Sequence, residues 1–352
     1  MGLSLNKRAL RVVDKMLSNM DILRIKTIRS GCGATVIDCR VRTLGSIEAG
    51  VYVAKVCLCD MATINVSTNI YGKLVLPEIN VSTDYPLLTT LGSQLADWEI
   101  IVNGYYAMAS GPGRALALDR LLPRGVALKK GFYQTKGYRI LEPKKIYQEI
   151  DHFEDSDEAV LVLEAAKIPP EGALTYISSR CGVHLCNLYV LITPTTSLAG
   201  SVQIAARVVE VGIHKLMILG FDLKSLLHGS GSAPIAPIHP NQVEMMGRVN
   251  DSIRYAGKVF FNVVHTNDHY LAEITKNIPS SSSNDYSKLF SEIFKSTNQD
   301  FYSIDLSIFS PAVVTINNTE TGTVHNAGFV DKSMLAKAFG VSLTERIAGD
   351  EA

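Results

Sequence analysis

Apolar residues recur along this chain at two periods, and the switches between them sketch its elements. Near the start, Leu10, Val13, Leu17 and Met20 return every three or four residues and predict a short amphipathic surface helix. From 34 to 41 apolar and polar residues alternate, as a half-buried strand requires. Residues 51–58, 62–66 and 74–81 continue the strand-like pattern, the last despite Pro77. Tyr85-Pro86 opens a helical stretch over 87–95, and 98–103 returns to strand. Short apolar runs at 161–163, 188–192 and 215–219 predict fully buried strands. Between the last two, 201–211 has the length and alanine content of a helix, closed by Gly212. Further on, 312–317, a Thr321-Gly322 turn and Val324 predict a hairpin, followed by a helix over 333–339 and a frayed tail. Strands and helices interleave without a strict βαβ rhythm or an internal repeat, which predicts an α/β fold of the mixed α+β kind.

Composition narrows the class. The chain has 352 residues, 47% hydrophobic and 19% charged, with 34 basic and 34 acidic side chains. High hydrophobicity with zero net charge excludes intrinsic disorder. The absence of a basic excess excludes a dedicated nucleic-acid binder, which needs one to displace counterions from phosphates. Lys7, Arg8 and Arg11 are followed by no apolar run long enough for a signal peptide. The longest uncharged stretch, 182–206, is broken by Asn187 and Pro194 and predicts a strand, turn and helix rather than a membrane span. The six cysteines form no C-x-x-C pair, so they predict small buried hydrophobes in a reducing compartment, with no metal. The expected location is cytoplasmic. The zero net charge conceals two opposed blocks: nine Lys/Arg against two acids over 114–145, then seven acids and no Lys/Arg over 149–164. The basic block is either a subunit or anionic-ligand contact or a solvated loop.

Several motifs bear on chemistry. Gly111-Pro112-Gly113 and Gly229-Ser230-Gly231 each begin like a dinucleotide fingerprint and lack its final glycine, which disfavours a nucleotide fold. The loop Ser110-Gly111-Pro112-Gly113-Arg114 is either an ordinary tight turn or an anion-presenting turn with an arginine. His265 and His269 flank a loop-like segment and predict a surface pair rather than a metal site. The informative pair is Arg207 and Glu210, three residues apart in an otherwise small and apolar helix. A surface salt bridge is the ordinary reading of that spacing. Charges in an apolar helix, however, must be paired or face a site, and a partly desolvated Glu suits general acid–base chemistry.

The chain resembles the methenyltetrahydromethanopterin cyclohydrolases, enzymes of pterin-linked one-carbon metabolism. The resemblance is carried by Val36-Ile37-Asp38-Cys39, Glu48-Ala49-Gly50, Val81-Ser82-Thr83-Asp84-Tyr85-Pro86, and the segments 106–116 and 193–203. Arg207-Val208-Val209-Glu210, 233–237, 246–251, 279–283 and 311–315 complete it, in order, over roughly residues 5 to 340. Two departures stand out. Where the family pattern has Gly-Ser-Gly-Pro-Ala-Arg, this chain has Ala109-Ser110-Gly111-Pro112-Gly113-Arg114, and 119–141 reads as an insertion.

The resemblance implies a two-domain subunit with an interdomain active-site cleft, commonly a homotrimer. The expected division is 1–104 with part of the C-terminal segment, 105–265 as a second domain, 266–340 returning to the first, and a tail over 341–352. It implies reversible hydrolysis of a methenyl bridge to the 5-formyl pterin, by a hydrolase that needs no metal or redox cofactor. Catalysis is expected from Arg207 and Glu210. Substrate binding is expected from Asp84, Ser110, Gly111, Arg114, Thr195, Ser197, Ser201, Gln203, Ala233 and Pro234. Two alternatives stand beside this one: a non-catalytic carrier or regulatory module for a reduced pterin, and a pterin-linked dehydrogenase. The missing nucleotide fingerprint weighs against the second.

Overall fold

The computed structural model describes residues 3–119, 143–298 and 303–341, so most of the basic segment and the tail expected at the C-terminus lie outside the described residues. Two six-stranded sheets carry the architecture. The first contains β1 (Lys26–Arg29), β2 (Thr35–Asp38), β5 (Trp98–Val102), β6 (Tyr105–Ser110), β7 (Ala159–Glu164) and β8 (Leu188–Ile192). Its spatial order is β1-β2-β8-β7-β6-β5, with β2, β8 and β7 parallel and the outer strands antiparallel. The second contains β3 (Thr63–Tyr71), β4 (Leu74–Thr83), β9 (Leu226–Pro234), β10 (Lys258–Val263), β11 (Val313–Asn318) and β12 (Val324–Gly328), in the order β12-β11-β10-β9-β4-β3. The mixed α/β class expected from the sequence is the class found.

Helices bury the first sheet on both faces, which is why β7 is apolar at five consecutive positions rather than alternating. On one face, α1 (Leu5–Leu17) and α3 (Ile47–Cys57) set Val12, Met16, Val53 and Val56 against Ile37, Val160, Val162 and Leu191. On the other, α5 (Gly113–Asp119) and α7 (Glu171–Cys181) set Leu116, Leu174 and Ile177 against Leu161, Leu163 and Val190. The second sheet is covered on one face by α9 (Val208–Ile218) and α11 (Asp268–Lys276), with Val208, Ile213, Leu216 and Leu271 against Ile79, Val259, Phe261 and Val314. Each such side chain contributes roughly 1.5–3 kcal/mol on full burial. The remaining helices are α2 (Met20–Leu23), α4 (Pro86–Thr89), α6 (Pro143–Glu149), α8 (Leu198–Ala205), α10 (Gln242–Ala256), α12 (Phe290–Ser296) and α13 (Lys332–Ala338). No helix among the described residues is long and apolar enough to cross a membrane.

The structure corrects several expectations. Residues 51–58 lie in α3, not a strand; Ser46 caps its N-terminus and Glu48 sits in its first turn. A short apolar run cannot be told from a strand by periodicity, and here the cap was the better guide. Residues 215–219 are not a buried strand either: α9 runs to Ile218. Gly212 does not end that helix, because its bare Cα lets the Phe261 ring pack where a Cβ would stand 2.9 Å from Cζ. The stripe of α1 is Leu5, Ala9, Val12, Val13 and Met16, so the helix is packed into the core and Leu10 and Leu17 form its margin. The stretch 87–95 divides into α4 and a π-helical turn over Thr90–Gln94. The strands at 188–192 and 98–103, the hairpin at 313–328 and the helix near 333–339 follow the expected pattern.

The expected boundary at 104/105 falls in the turn between β5 and β6, two strands that pair with each other. The span 105–265 supplies strands to both sheets, and the C-terminal strands join β10. The chain crosses between the sheets three times: through α3, through α4 and the π turn, and through α8 and α9. Each sheet is therefore built from separated stretches of chain, which no local period reveals.

Candidate active site

These three crossings meet. The helix expected over 201–211 is broken at Ala206 and Arg207, giving α8 and α9. Arg207 holds φ −79° and ψ 1°, the sparsely used bridge between helical and extended backbone. The pair keeps its three-residue spacing across the break, and Glu210 lies in the first turn of α9. Arg207 Nη1 stands 3.8 Å from Glu210 Oε2, and both side chains are about nine-tenths buried.

Arg207 is held by groups the spacing does not reveal. Its Nη1 donates to the Gln94 carbonyl oxygen at 2.6 Å, and its Nε and Nη2 both reach Gln203 Oε1 at 3.3 Å. Gln94 returns the contact, donating from Nε2 to the Ala206 carbonyl at 3.2 Å across the helix break. Gln203 Nε2, Gln94 Oε1 and Thr193 Oγ1 are buried with no hydrogen-bond partner among the described residues. Buried polar atoms are normally satisfied, so this is unfilled capacity that a polar ligand can take up.

Burial pushes the Glu210 carboxyl up to about 7; the Arg207 and Arg114 guanidiniums pull it back and the Asp97 carboxylate adds to the rise. Glu210 therefore exchanges a proton near neutrality, which is what a general base needs. Arg114, fully buried, donates from Nε to Asp97 Oδ1 at 2.5 Å and from Nη1 to the Ser93 carbonyl at 3.2 Å. Cys57, at the end of α3, lies 3.6 Å from Ser110 Oγ; burial pushes its thiol up, and the Arg207 and Arg114 charges pull it back.

Of the expected site residues, Arg207, Glu210, Gln203, Ser110, Gly111 and Arg114 are brought together. The small-residue loop is turned inward: Gly111, at φ +97°, donates its N–H to the Ser93 carbonyl, and Arg114 serves Asp97. The Thr195 hydroxyl donates to Glu164 at the end of β7. Ser197 caps α8 by accepting from Gly200 N–H at 2.8 Å. Ser201 donates to the Ala236 carbonyl at 2.8 Å, while Ala233 and Pro234 are buried strand residues opposite Ile79 and Glu78. Asp84 is exposed where β4 leads into α4. Nothing in the sequence marks Gln94 or Asp97, because their partners are more than a dozen residues away. His265 and His269 are not joined by a third ligand: among the described residues no three His, Cys, Asp or Glu side chains converge as around a metal.

The sequence matches the cyclohydrolase (MCH) family over residues 4–130 and 137–339. The chain belongs to this family. It is 40% identical to the methenyltetrahydromethanopterin cyclohydrolase of Methanocaldococcus jannaschii over 341 residues, covering 96% of this chain and 98% of that protein. It is 37% identical to the enzyme of that name from Methanothermobacter thermautotrophicus, over 96% of this chain and 99% of the relative. The Methanococcus vannielii protein of the same name is 39% identical over 95% and 98% of the two chains. The family match continues through 119–130 and resumes at 137, so within 119–141 only 131–136 falls outside it. This break lies inside the segment read as an insertion.

Proposed function

We propose that this chain is a methenyltetrahydromethanopterin cyclohydrolase. It hydrolyses the methenyl bridge of a methanopterin-type substrate to the 5-formyl pterin, reversibly and without a metal or redox cofactor. The observation that carries the mechanism is the Glu210 carboxyl, buried beside Arg207 and poised at about 7. The bridging carbon lies between two pterin nitrogens and shares their positive charge, so it is already electrophilic. Water is the poor partner. Glu210 takes a proton from water as its oxygen bonds to that carbon, and delivers the proton to the departing nitrogen when the tetrahedral intermediate collapses. The remaining hydroxyl proton leaves to solvent as the formyl carbonyl forms, so the reaction releases one proton overall. As a carboxylate, Glu210 also offsets the charge of the cation. Arg207 orients it and stabilises the oxygen that gains negative charge.

We place the substrate in a cleft between the units built on the two sheets, a placement supported by the meeting of three inter-sheet crossings at Arg207. We further propose a cytoplasmic homotrimer. A non-catalytic carrier has no use for a carboxyl titrating near neutrality, which favours turnover over simple binding. The test follows loss of the methenyl chromophore, on the methanopterin-type substrate and on its folate analogue, with wild type and Glu210→Gln. The expected result is turnover of the methanopterin-type compound that falls by roughly 100- to 10,000-fold in the variant. Near wild-type turnover in Glu210→Gln overturns the mechanism.

A further inference from the structure

The π-helical turn at Thr90–Gln94 closes with Leu95 N–H donating to the Thr90 carbonyl at 2.9 Å, and the chain then leaves the helix. The last carbonyls of a helix lack intrahelical partners, and here three consecutive ones, from Gly92 to Gln94, are taken by groups from other elements. Gly92 O accepts from the Tyr147 hydroxyl at 3.1 Å. Ser93 O accepts from Gly111 N–H at 2.8 Å and from Arg114 Nη1 at 3.2 Å. Gln94 O accepts from Arg207 Nη1 at 2.6 Å. Two arginines thus hold consecutive carbonyls of one short turn. Arg114 is in turn gripped by Asp97, three residues beyond that turn, through Nε and Nη2.

We propose that Asp97 is a positioning residue for the Arg207/Glu210 pair, working through Arg114 and the carbonyl oxygens of the π turn. The inference rests on the catalytic reading of that pair given above. With Asp97 ionised, the Arg114 fork is held across Asp97 and Ser93 O, which sets the Gln94 carbonyl where Arg207 needs it. The charged groups acting on Glu210 are Arg207 at the α8/α9 break, Arg114 on α5 and Asp97 itself, while the Cys57 thiol of α3 feels the charge of the same two arginines. Asp97 opposes ionisation of Glu210 and the arginines favour it. Removing the Asp97 charge therefore moves the Glu210 titration to lower pH, because Arg114 is left uncompensated.

The experiment is Asp97→Asn, assayed for methenyl hydrolysis across the neutral pH range together with its melting temperature. The expected result is a fall in kcat of roughly 10- to 100-fold, as a small misplacement of a catalytic group produces. KM should stay within about twofold, since binding of the substrate is not what is lost. The acid limb of the kcat profile should move to lower pH. Arg114→Lys is the second variant: it keeps the cation but not the fork, so kcat should fall with the acid limb in place. A folded Asp97→Asn protein with wild-type kcat and wild-type acid limb, whatever its melting temperature, overturns the proposal. If neither variant folds, the pair is a folding element and the proposal falls as well. An inactive wild-type chain would instead refute the cyclohydrolase reading beneath it.

Discussion

The Arg207 guanidinium stands 3.8 Å from the Glu210 carboxylate, close enough to act on its charge and too far to hydrogen-bond to it. The shorter contacts of Arg207 go to Gln94 and Gln203. Glu210 is thus left with its proton affinity raised rather than neutralised in a tight ion pair, and its chemistry follows from that spacing.

The first prediction concerns pH. With Glu210 at about 7 when folded, against 4.5 for an ordinary glutamate, the folded protein holds a proton that the unfolded chain has released between those values. The stability this confers is complete below the ordinary glutamate range and is lost as pH rises through 7, an effect of about 3 kcal/mol. Glu210→Gln should remove that component, so its stability relative to wild type should grow between pH 4.5 and 7. Denaturant unfolding of both proteins across this range checks it. The comparison with the variant matters because His214, half-buried and pushed down to about 4 by desolvation, acts in the opposite sense in both. Catalysis should run the other way, kcat rising as Glu210 ionises through neutrality.

Arg207→Lys keeps the charge and loses the fork that spans Gln94 and Gln203. A lysine is a point charge and cannot hold two partners in one plane. We expect kcat to fall by roughly 100-fold. Arg207→Ala should do more and should also move the acid limb to higher pH, because a cation that favours the Glu210 carboxylate is gone. Steady-state kinetics over pH separates the two variants.

Glu154 anchors the start of α1 to the rest of the fold. Burial alone would raise its carboxyl, yet hydrogen bonds from His152, Ser4, Leu5 and Asn6 outweigh that and hold it below the usual range. Glu154→Ala leaves these donors without their acceptor and should cost about 3 kcal/mol. For wild type the stabilisation is present above the ordinary glutamate range and is lost as pH falls through the depressed value. Urea unfolding at neutral and acid pH tests both statements.

Gly50 lets α3 and α8 approach closely: a Cβ there would meet Val202 Cβ at 2.6 Å and the Ala199 backbone at 2.9 Å. Gly50→Ala should destabilise the chain by about 1–3 kcal/mol, as overpacking does. Because α8 leads directly to Arg207, kcat should fall with it. An unchanged melting temperature and rate would refute this account of the glycine.

The sequence marked a pair of charges as well as a fold class. The buried pairing of Arg207 with Glu210 was legible because two charges three apart in an apolar helix have only a few physical explanations, and that spacing survives even though the helix is broken between α8 and α9. The central strand β8 and the 313–328 hairpin were legible for a similar reason, since period and turn chemistry are local properties. The strand expected at 51–58 is helix instead, because a short apolar run says that a segment is buried but not against what. Only the packed chain, crossing three times between its sheets, brings Gln94 to Arg207 from 113 residues away. The same packing turns Arg114 inward to Asp97, although in the sequence it stood in a loop that could equally have faced a ligand. Periodicity reports which residues leave water. Which polar groups meet once they have left it is decided by long-range contacts, and those set the proton affinity of Glu210.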